Sequence, residues 1–313
     1  MGSGYEALRH GTAWLDFSAR GRIIMLGEDR VRLLHALVTN HIEQLTTGKG
    51  CYAFFLNAQG RILGDVNVFC REDRLLLDVE PDARERLYQH LDKYIIADDV
   101  ILEDASESMT AVGLEGPRSA EVLNNLGAPA LEEDFANAGW QDRTVARVSF
   151  TGEPGFRIFA PAGGKEALIR EVESNGAVRA SSEAARVVRL EHGKPRYGED
   201  FSDKTLAQET QQAHAMHFSK GCYLGQEIVE RVRSRGQVHR VLVPVEIEGE
   251  EQPTGGLRFS VNGADGGWIT SSAYSPALGR TVALAYVPVA HSRPGTVFDL
   301  AGRPAVVAPS NRS

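Results

Sequence analysis

Three side chains in this sequence are placed to do chemistry. Cys222 lies in Lys220-Gly221-Cys222-Tyr223-Leu224-Gly225-Gln226-Glu227, and a segment of helical character, Gln226 to Val232, follows directly. The thiolate is the reactive form of cysteine, and it is favoured by a nearby cation and by a helix N-terminus. Lys220 supplies the cation in this reading, while Gly221 and Gly225 permit a close backbone approach or a positive φ. The alternative is a small buried thiol in a turn. Glu191 shares one helical face with Ala184, Val187 and Val188. A carboxylate on that face costs about 3–5 kcal/mol if unpaired, so it needs a ligand N–H, a neighbouring cation or an internal salt bridge. Gly193 and Pro195 end the helix and put Glu191 in its last turn. Asp65 belongs to Ile62–Phe69, a strand apolar on both parities and so expected to be covered on both faces. A carboxylate held there can bond a nitrogen heterocycle or accept a proton. It can equally bond backbone N–H groups at a bulge beside Gly64.

The elements that must position these residues have mixed α and β texture. Asp29 is a candidate cap for a helix carrying Val31, Leu34, Leu37 and Val38. Tyr52–Leu56 and Arg61–Cys70 read as strands around an Asn57-Ala58-Gln59-Gly60 turn, and Glu72-Asp73 turns the chain into Leu75–Val79. Pro81 opens a helix with Leu87, Leu91 and Ile95 spaced by four. A further helix ends near Gly127, strands lie around 144–150 and 156–159, and helices at about 164–175 and 182–192. From Val241 the apolar residues alternate, and Val261-Asn262-Gly263 and Asp265-Gly266-Gly267 read as hairpin turns. We expect an α+β domain of two related halves over 1–237, then an all-β barrel domain over 238–313.

Composition narrows the function classes. The 313 residues carry a net charge of −8, which argues against a sequence-independent grip on nucleic acid. Arg231, Arg233, Arg235 and Arg240 form one candidate local basic patch. No apolar run is long enough to span a bilayer and the start lacks signal-peptide character, so a cytoplasmic location is the expectation. Three cysteines, at 51, 70 and 222, make a disulfide framework or a four-thiolate cluster within the chain unexpected. His214 and His217 lack an evident third ligand, so a metal site is not expected.

Longer motifs add a resemblance. Leu190-Glu191-His192-Gly193-Lys194-Pro195-Arg196-Tyr197-Gly198-Glu199-Asp200 is similar to the LExGxPxYGxD segment of the glycine-cleavage T-protein superfamily, whose members include aminomethyltransferases. Asn57–Val66 resembles its GGILDD turn and strand, with Asp65 at the second acid. Gly116-Pro117 matches its GP element, and Ser275–Gly279 with Val282–Val287 resembles its C-terminal strand pair. The octapeptide at 220–227 is that of the YgfZ-type branch, folate-binding proteins that assist iron–sulfur enzymes. The resemblance implies a duplicated α+β tetrahydrofolate-binding domain with a C-terminal β-barrel. Within it, Asp65 would contact the reactive end of the folate and Glu191 would hold the pterin. The candidate folate contacts are thus Asp65, Glu191, Tyr197 and Lys220, with Cys222 and Asp65 as candidate reactive groups. Arg231 or Arg233 would meet the glutamate tail. The leading expectation is an accessory factor for iron–sulfur client proteins, and the alternative is a folate-dependent aminomethyltransferase or related one-carbon transferase. Thr39-Asn40-His41 and Gly64 depart from the superfamily, which usually has Thr-Asn-Asp and a pair of acids at those places.

Overall fold

The computed structural model describes residues 2–236, 238–261, 264–300 and 302–309. Helix α1 (Ser3–His10) and strand β1 (Ala13–Asp16) precede β2 (Gly21–Leu26), α2 (Arg30–Leu37), β3 (Gly50–Leu56), β4 (Ile62–Cys70), β5 (Leu75–Val79), α3 (Arg84–Tyr94) and β6 (Ile101–Asp104). Then come β7 (Met109–Glu115), α4 (Ser119–Asn125), β8 (Asn137–Trp140), β9 (Arg143–Arg147), β10 (Gly155–Pro161), α5 (Lys165–Ser174) and β11 (Val178–Arg179). The first sheet has the order β3-β4-β5-β2-β6, and the second reads β8-β9-β10-β7-β1-β11. The two are one β-α-β-β-β-α-β unit used twice, with β1 inserted between β7 and β11. β6 runs antiparallel to β2. β11 runs parallel to β1, which is antiparallel to β7, so β11 keeps the direction that β6 has. This is the duplicated α+β domain the resemblance implies.

Register shows how β4 is covered on both faces. Tyr52 pairs with Asn67, Phe54 with Asp65, Asn67 with Asp78, and Asp78 with Arg22. Side chains alternate across a sheet, so these residues share one face. The opposite face carries Ala53, Val66, Val68, Leu77, Val79 and Ile23, packed on Leu34 and Leu37 of α2 and Leu87 and Leu91 of α3. The polar face turns toward the second sheet. There Asp78 accepts hydrogen bonds from Arg20 Nε at 2.8 Å, Asn67 Nδ2 at 3.0 Å and Arg157 Nη1 of β10. Glu80 accepts from Arg20 and from Arg196 Nη2 at 2.8 Å. Asp78, Glu80, Arg20 and Arg157 are all buried.

Helix α6 (Ser182–Glu191) starts with the Ser181 hydroxyl accepting from Ala184 N at 3.1 Å. It ends in a Schellman motif, with Gly193 N bonded to Leu190 O and Lys194 N to Arg189 O. After α7 (Gln226–Arg235), strands β12 (Arg240–Ile247), β13 (Arg258–Val261), β14 (Ala264–Ser275), β15 (Arg280–Pro288), β16 (Val297–Leu300) and β17 (Arg303–Val307) close a six-stranded barrel. Val241, Val243, Val245 and Ile247 face its core, where Phe259 and Phe298 stack at 4.2 Å.

Three local expectations change. Asp29 has helical backbone and does not cap α2; its carboxylate accepts Asp99 N at 2.9 Å instead. Ile95 lies past the end of α3. Asp265-Gly266-Gly267 is not a turn but part of β14, because a Cβ at Gly267 would meet Tyr286 O at 1.8 Å and only glycine lets the strands approach there. In the other expected turn, Asn262 and Gly263 lie outside the described residues.

The Asp78 network makes a direct prediction. Asp78→Ala leaves Arg20 and Arg157 without their shared acid, and urea unfolding should show a loss of about 3–5 kcal/mol.

Candidate functional site

An open cleft of about 1020 Å³ lies where the 15–20 segment, residues 80–82, the start of α6 and residues 196–199 meet. Phe17, Phe150, Arg20, Glu80, Arg196 and Tyr197 are among its walls. Two members of the buried ion network, Arg20 and Glu80, are therefore also cleft residues.

Asp65 stands behind that wall. Its side chain is 8% exposed as a residue, Oδ2 accepts the Tyr52 hydroxyl at 2.8 Å, and Oδ1 has no hydrogen-bond partner. Burial pushes the carboxyl up to about 6, the Glu80 charge adds to this, and the Arg20 guanidinium opposes it. Burial also pushes Glu80 up, but Arg20 and Arg196 more than offset that and hold it below its ordinary value. Two neighbouring carboxyls are thus driven apart, the arrangement from which a proton-handling group and a fixed charge arise.

The other expected site residues fall in different places. Tyr197 is a lining residue of the cleft, and its hydroxyl donates to Leu63 O at 2.7 Å and accepts from Arg86 Nη1 at 2.8 Å. Glu191 does not line the cleft. Its Oε1 accepts from Tyr5 and Ser275 hydroxyls, each at 2.6 Å, and Arg9 Nε stands 3.6 Å from Oε2. Through Oε1 Glu191 joins α1, α6 and the barrel, while its buried Oε2 has no hydrogen-bond partner. Lys220 is likewise turned inward: Nζ donates to the carbonyls of His35, Val38 at 2.6 Å and Asn40 at 2.9 Å. Burial lowers its ammonium to about 8, opposed in part by Cys51 and Glu43. Lys220 clamps the loop that carries Cys222 and is not among the residues lining the cleft.

Cys222 is the exposed member of three free thiols and precedes α7 as expected. Its loop is fastened by Leu224 N to Ala36 O at 3.1 Å. It is also fastened by Gly225, whose φ of 84° and approach to Asn57 O leave no room for a Cβ. Cys222 does not line the cleft. Nor do Arg231 and Arg233, which pair on α7 with Glu227 at 2.8 Å and Glu230 at 3.4 Å. Arg240 pairs with Glu209 at 3.0 Å and lies over the Trp268 ring, so Arg231, Arg233 and Arg240 of the candidate basic patch are each paired with an acid, and the Arg235 side chain lies outside what is described. In the Thr39-Asn40-His41 segment the Thr-Asn pair is structural: Thr39 Oγ1 donates to Ala215 O at 2.6 Å and Asn40 Nδ2 to Tyr52 O at 2.8 Å. His41 packs between the His35 and His217 rings. Among the described residues no group of three or more His, Cys, Asp or Glu is placed to hold a metal ion. No described helix is long and apolar enough to cross a membrane.

Sequence reasoning missed Tyr52, Glu80, Arg20 and Arg196. Tyr52 sits in an ordinary strand pattern, and the other three are charged residues in connections, so none carries a local signal.

Two β-α-β-β-β-α-β units, a small barrel sealed onto them and a charge-lined cleft at their junction define the architecture of a folate-type aminomethyltransferase fold. The GCVT N-terminal domain model matches residues 1–220, and the glycine cleavage T-protein C-terminal barrel model matches 240–308. The chain is 31% identical to an aminomethyltransferase of Rubrobacter xylanophilus over 293 residues, covering 91% of this chain and 78% of that one. With an aminomethyltransferase of Synechocystis it shares 29% identity, over 95% and 82% of the two chains. The crystal structure of the glycine cleavage system aminomethyltransferase T from Bartonella henselae superposes with a TM-score of 0.90 at 24% identity, covering 98% of this chain and 88% of that one, and shows the shared fold. The chain belongs to the glycine cleavage T-protein family.

The raised Asp65 carboxyl predicts a pH-dependent stability. Asp65 holds its proton more tightly when folded, at about 6, than at its ordinary value of 3.8. Its contribution is therefore complete below about pH 4 and is lost as pH rises through about 6. Asp65→Asn should be more stable than the parent by about 2–3 kcal/mol near pH 8, with the gap closing near pH 4, in urea titrations across pH.

Proposed function

We propose that this chain binds tetrahydrofolate at the central cleft and handles protons at Asp65, as a folate-dependent aminomethyltransferase or related one-carbon transferase. The free, buried Oδ1 of Asp65 beside the cleft carries this reading. The donor set fits the ligand. Phe17 and Phe150, with ring centroids 5.4 Å apart, offer apolar faces to a flat ring system. Arg196 lines the wall with its side chain 40% exposed, and arginine suits the carboxylates of a glutamate tail. Bound tetrahydrofolate would supply the nitrogen that receives the one-carbon unit. Asp65, neutral or ionised near pH 6, would give or take the proton, and Tyr52 would fix which oxygen is free. Relatives named aminomethyltransferases match more than nine-tenths of the chain and support this order of preference over the accessory role.

One observation favours a second reading, the YgfZ-type accessory factor for iron–sulfur client proteins. Cys222 is exposed on a loop that Lys220 pins to three carbonyls, so a reactive group is held outward at a fixed place. In that reading the thiol works on a partner and not at the cleft.

Tetrahydrofolate-dependent ammonia release from an aminomethyl-lipoyl carrier protein tests the first reading. The parent should turn over, and Asp65→Asn should lose roughly 10²–10⁴-fold in rate while still binding folate; a parent protein with no turnover removes transfer as the function. For the second reading, Cys222→Ala should fail to restore iron–sulfur enzyme activity in a deletion strain, and full restoration would count against it.

A further inference from the structure

Two buried ions away from Asp65 grip a segment of the cleft wall. Glu115, the last residue of β7, is fully buried and faces the connection between β9 and β10. Its Oε1 accepts Phe150 N at 2.6 Å, and its Oε2 accepts Thr151 N at 2.8 Å and the Thr151 hydroxyl. Lys194, just past the end of α6, donates from Nζ to Ser149 O. Three successive residues are thus held from the interior by a carboxylate and an ammonium. Burial raises the Glu115 carboxyl, opposed by Thr151, by the two backbone N–H groups and by Lys194. Burial lowers Lys194 to about 8, and the Glu115 charge opposes that. The next residue is fixed too: Gly152 has a φ of 101°, and a Cβ there would meet His192 Cβ at 2.5 Å. Surface connections are ordinarily mobile, whereas charge-assisted bonds from a buried group are strong and directional. The large side chain that this segment carries is Phe150, a lining residue of the cleft. Two more lining residues lean on its ring, Phe17 with centroids 5.4 Å apart and the Arg196 guanidinium at 5.8 Å. Neither Glu115 nor Lys194 lines the cleft itself.

We infer that Glu115 is a positioning residue for the cleft: through the backbone of 150–151 it holds Phe150 as a fixed wall for a flat heterocycle. This rests on the folate reading above. A wall fixed in advance leaves less ordering to be done on binding, so the grip acts on affinity. Its whole effect passes through the Phe150 ring. With that ring removed, the grip has nothing left to place.

The test uses the full chain with 5-formyltetrahydrofolate as the probe, titrated by calorimetry, with thermal unfolding to establish that each variant is folded. Phe150→Ala should bind about tenfold more weakly. Glu115→Gln keeps the volume but has one accepting oxygen, and it sets an NH₂ against the N–H groups of the segment. It should also bind about tenfold more weakly. Thr151→Val removes only the hydroxyl bond and should lose about fivefold. The losses should not add: Glu115→Gln with Phe150→Ala should bind within about twofold of Phe150→Ala alone. If Glu115→Gln does not fold, Thr151→Val with Phe150→Ala decides by the same rule. Losses that add overturn the inference and leave Glu115 a stability residue. Parent-like binding by Phe150→Ala, or by the folded Glu115 and Thr151 variants, also overturns it and leaves the folate reading standing. A parent protein that does not bind the probe removes the folate reading, and the inference with it.

Discussion

The buried carboxylates Asp78 and Glu80, shared among Arg20, Arg157 and Arg196, are the constraint on which the remainder rests. Charges taken out of water must be paired with good geometry, or the fold loses several kcal/mol, on the order of 3–5. Asp78 belongs to the first sheet, Arg157 to the second and Arg20 to the segment between β1 and β2. Satisfying Asp78 therefore requires both sheets at one separation and one angle. The same requirement holds Glu80 at the cleft wall, where its charge bears on Asp65. Assembly of the two halves and the chemistry of the candidate site are consequences of one set of ion pairs.

A second joint seals the barrel onto this body. Arg189 donates to Asp200 at 2.6 Å, and Asp200 also accepts the hydroxyls of Thr270 at 2.7 Å and Ser271. Glu191 meets Ser275 a few residues away along β14. The long motif at 190–200 and the C-terminal Ser-Pro segment thus describe two sides of one interface. Glu191 Oε1 and Asp200 join the domains there, while Glu191 Oε2 stays buried without a hydrogen-bond partner.

Asp65 stands apart from Asp78, Glu80 and Asp200, whose carboxylates are engaged by arginines. Its buried Oδ1 has no hydrogen-bond partner, a state it shares with Glu191 Oε2 and Arg157 Nε in the joints themselves. What marks Asp65 is that free oxygen together with a carboxyl raised by burial beside the Glu80 charge.

Local chemistry carried much of the fold. The strand pair around Asn57–Gly60, the Pro81 start, the Gly193 stop of α6 and the Val241–Ile247 alternation were all legible, because turn residues, caps and side-chain period act over a few residues. Asp65 was legible as a carboxylate that could not be solvated. Which oxygen of Asp65 stays free, which way Lys220 turns and what Glu191 touches were not, since each depends on groups distant in the chain. Tyr52 lies 13 residues from Asp65, Lys220 grips carbonyls some 180 residues away, and Glu191 meets Tyr5 across 186. Types and periods along the chain are enough to say that a charge is buried. Only packing decides whether its partner is another part of the protein or a ligand.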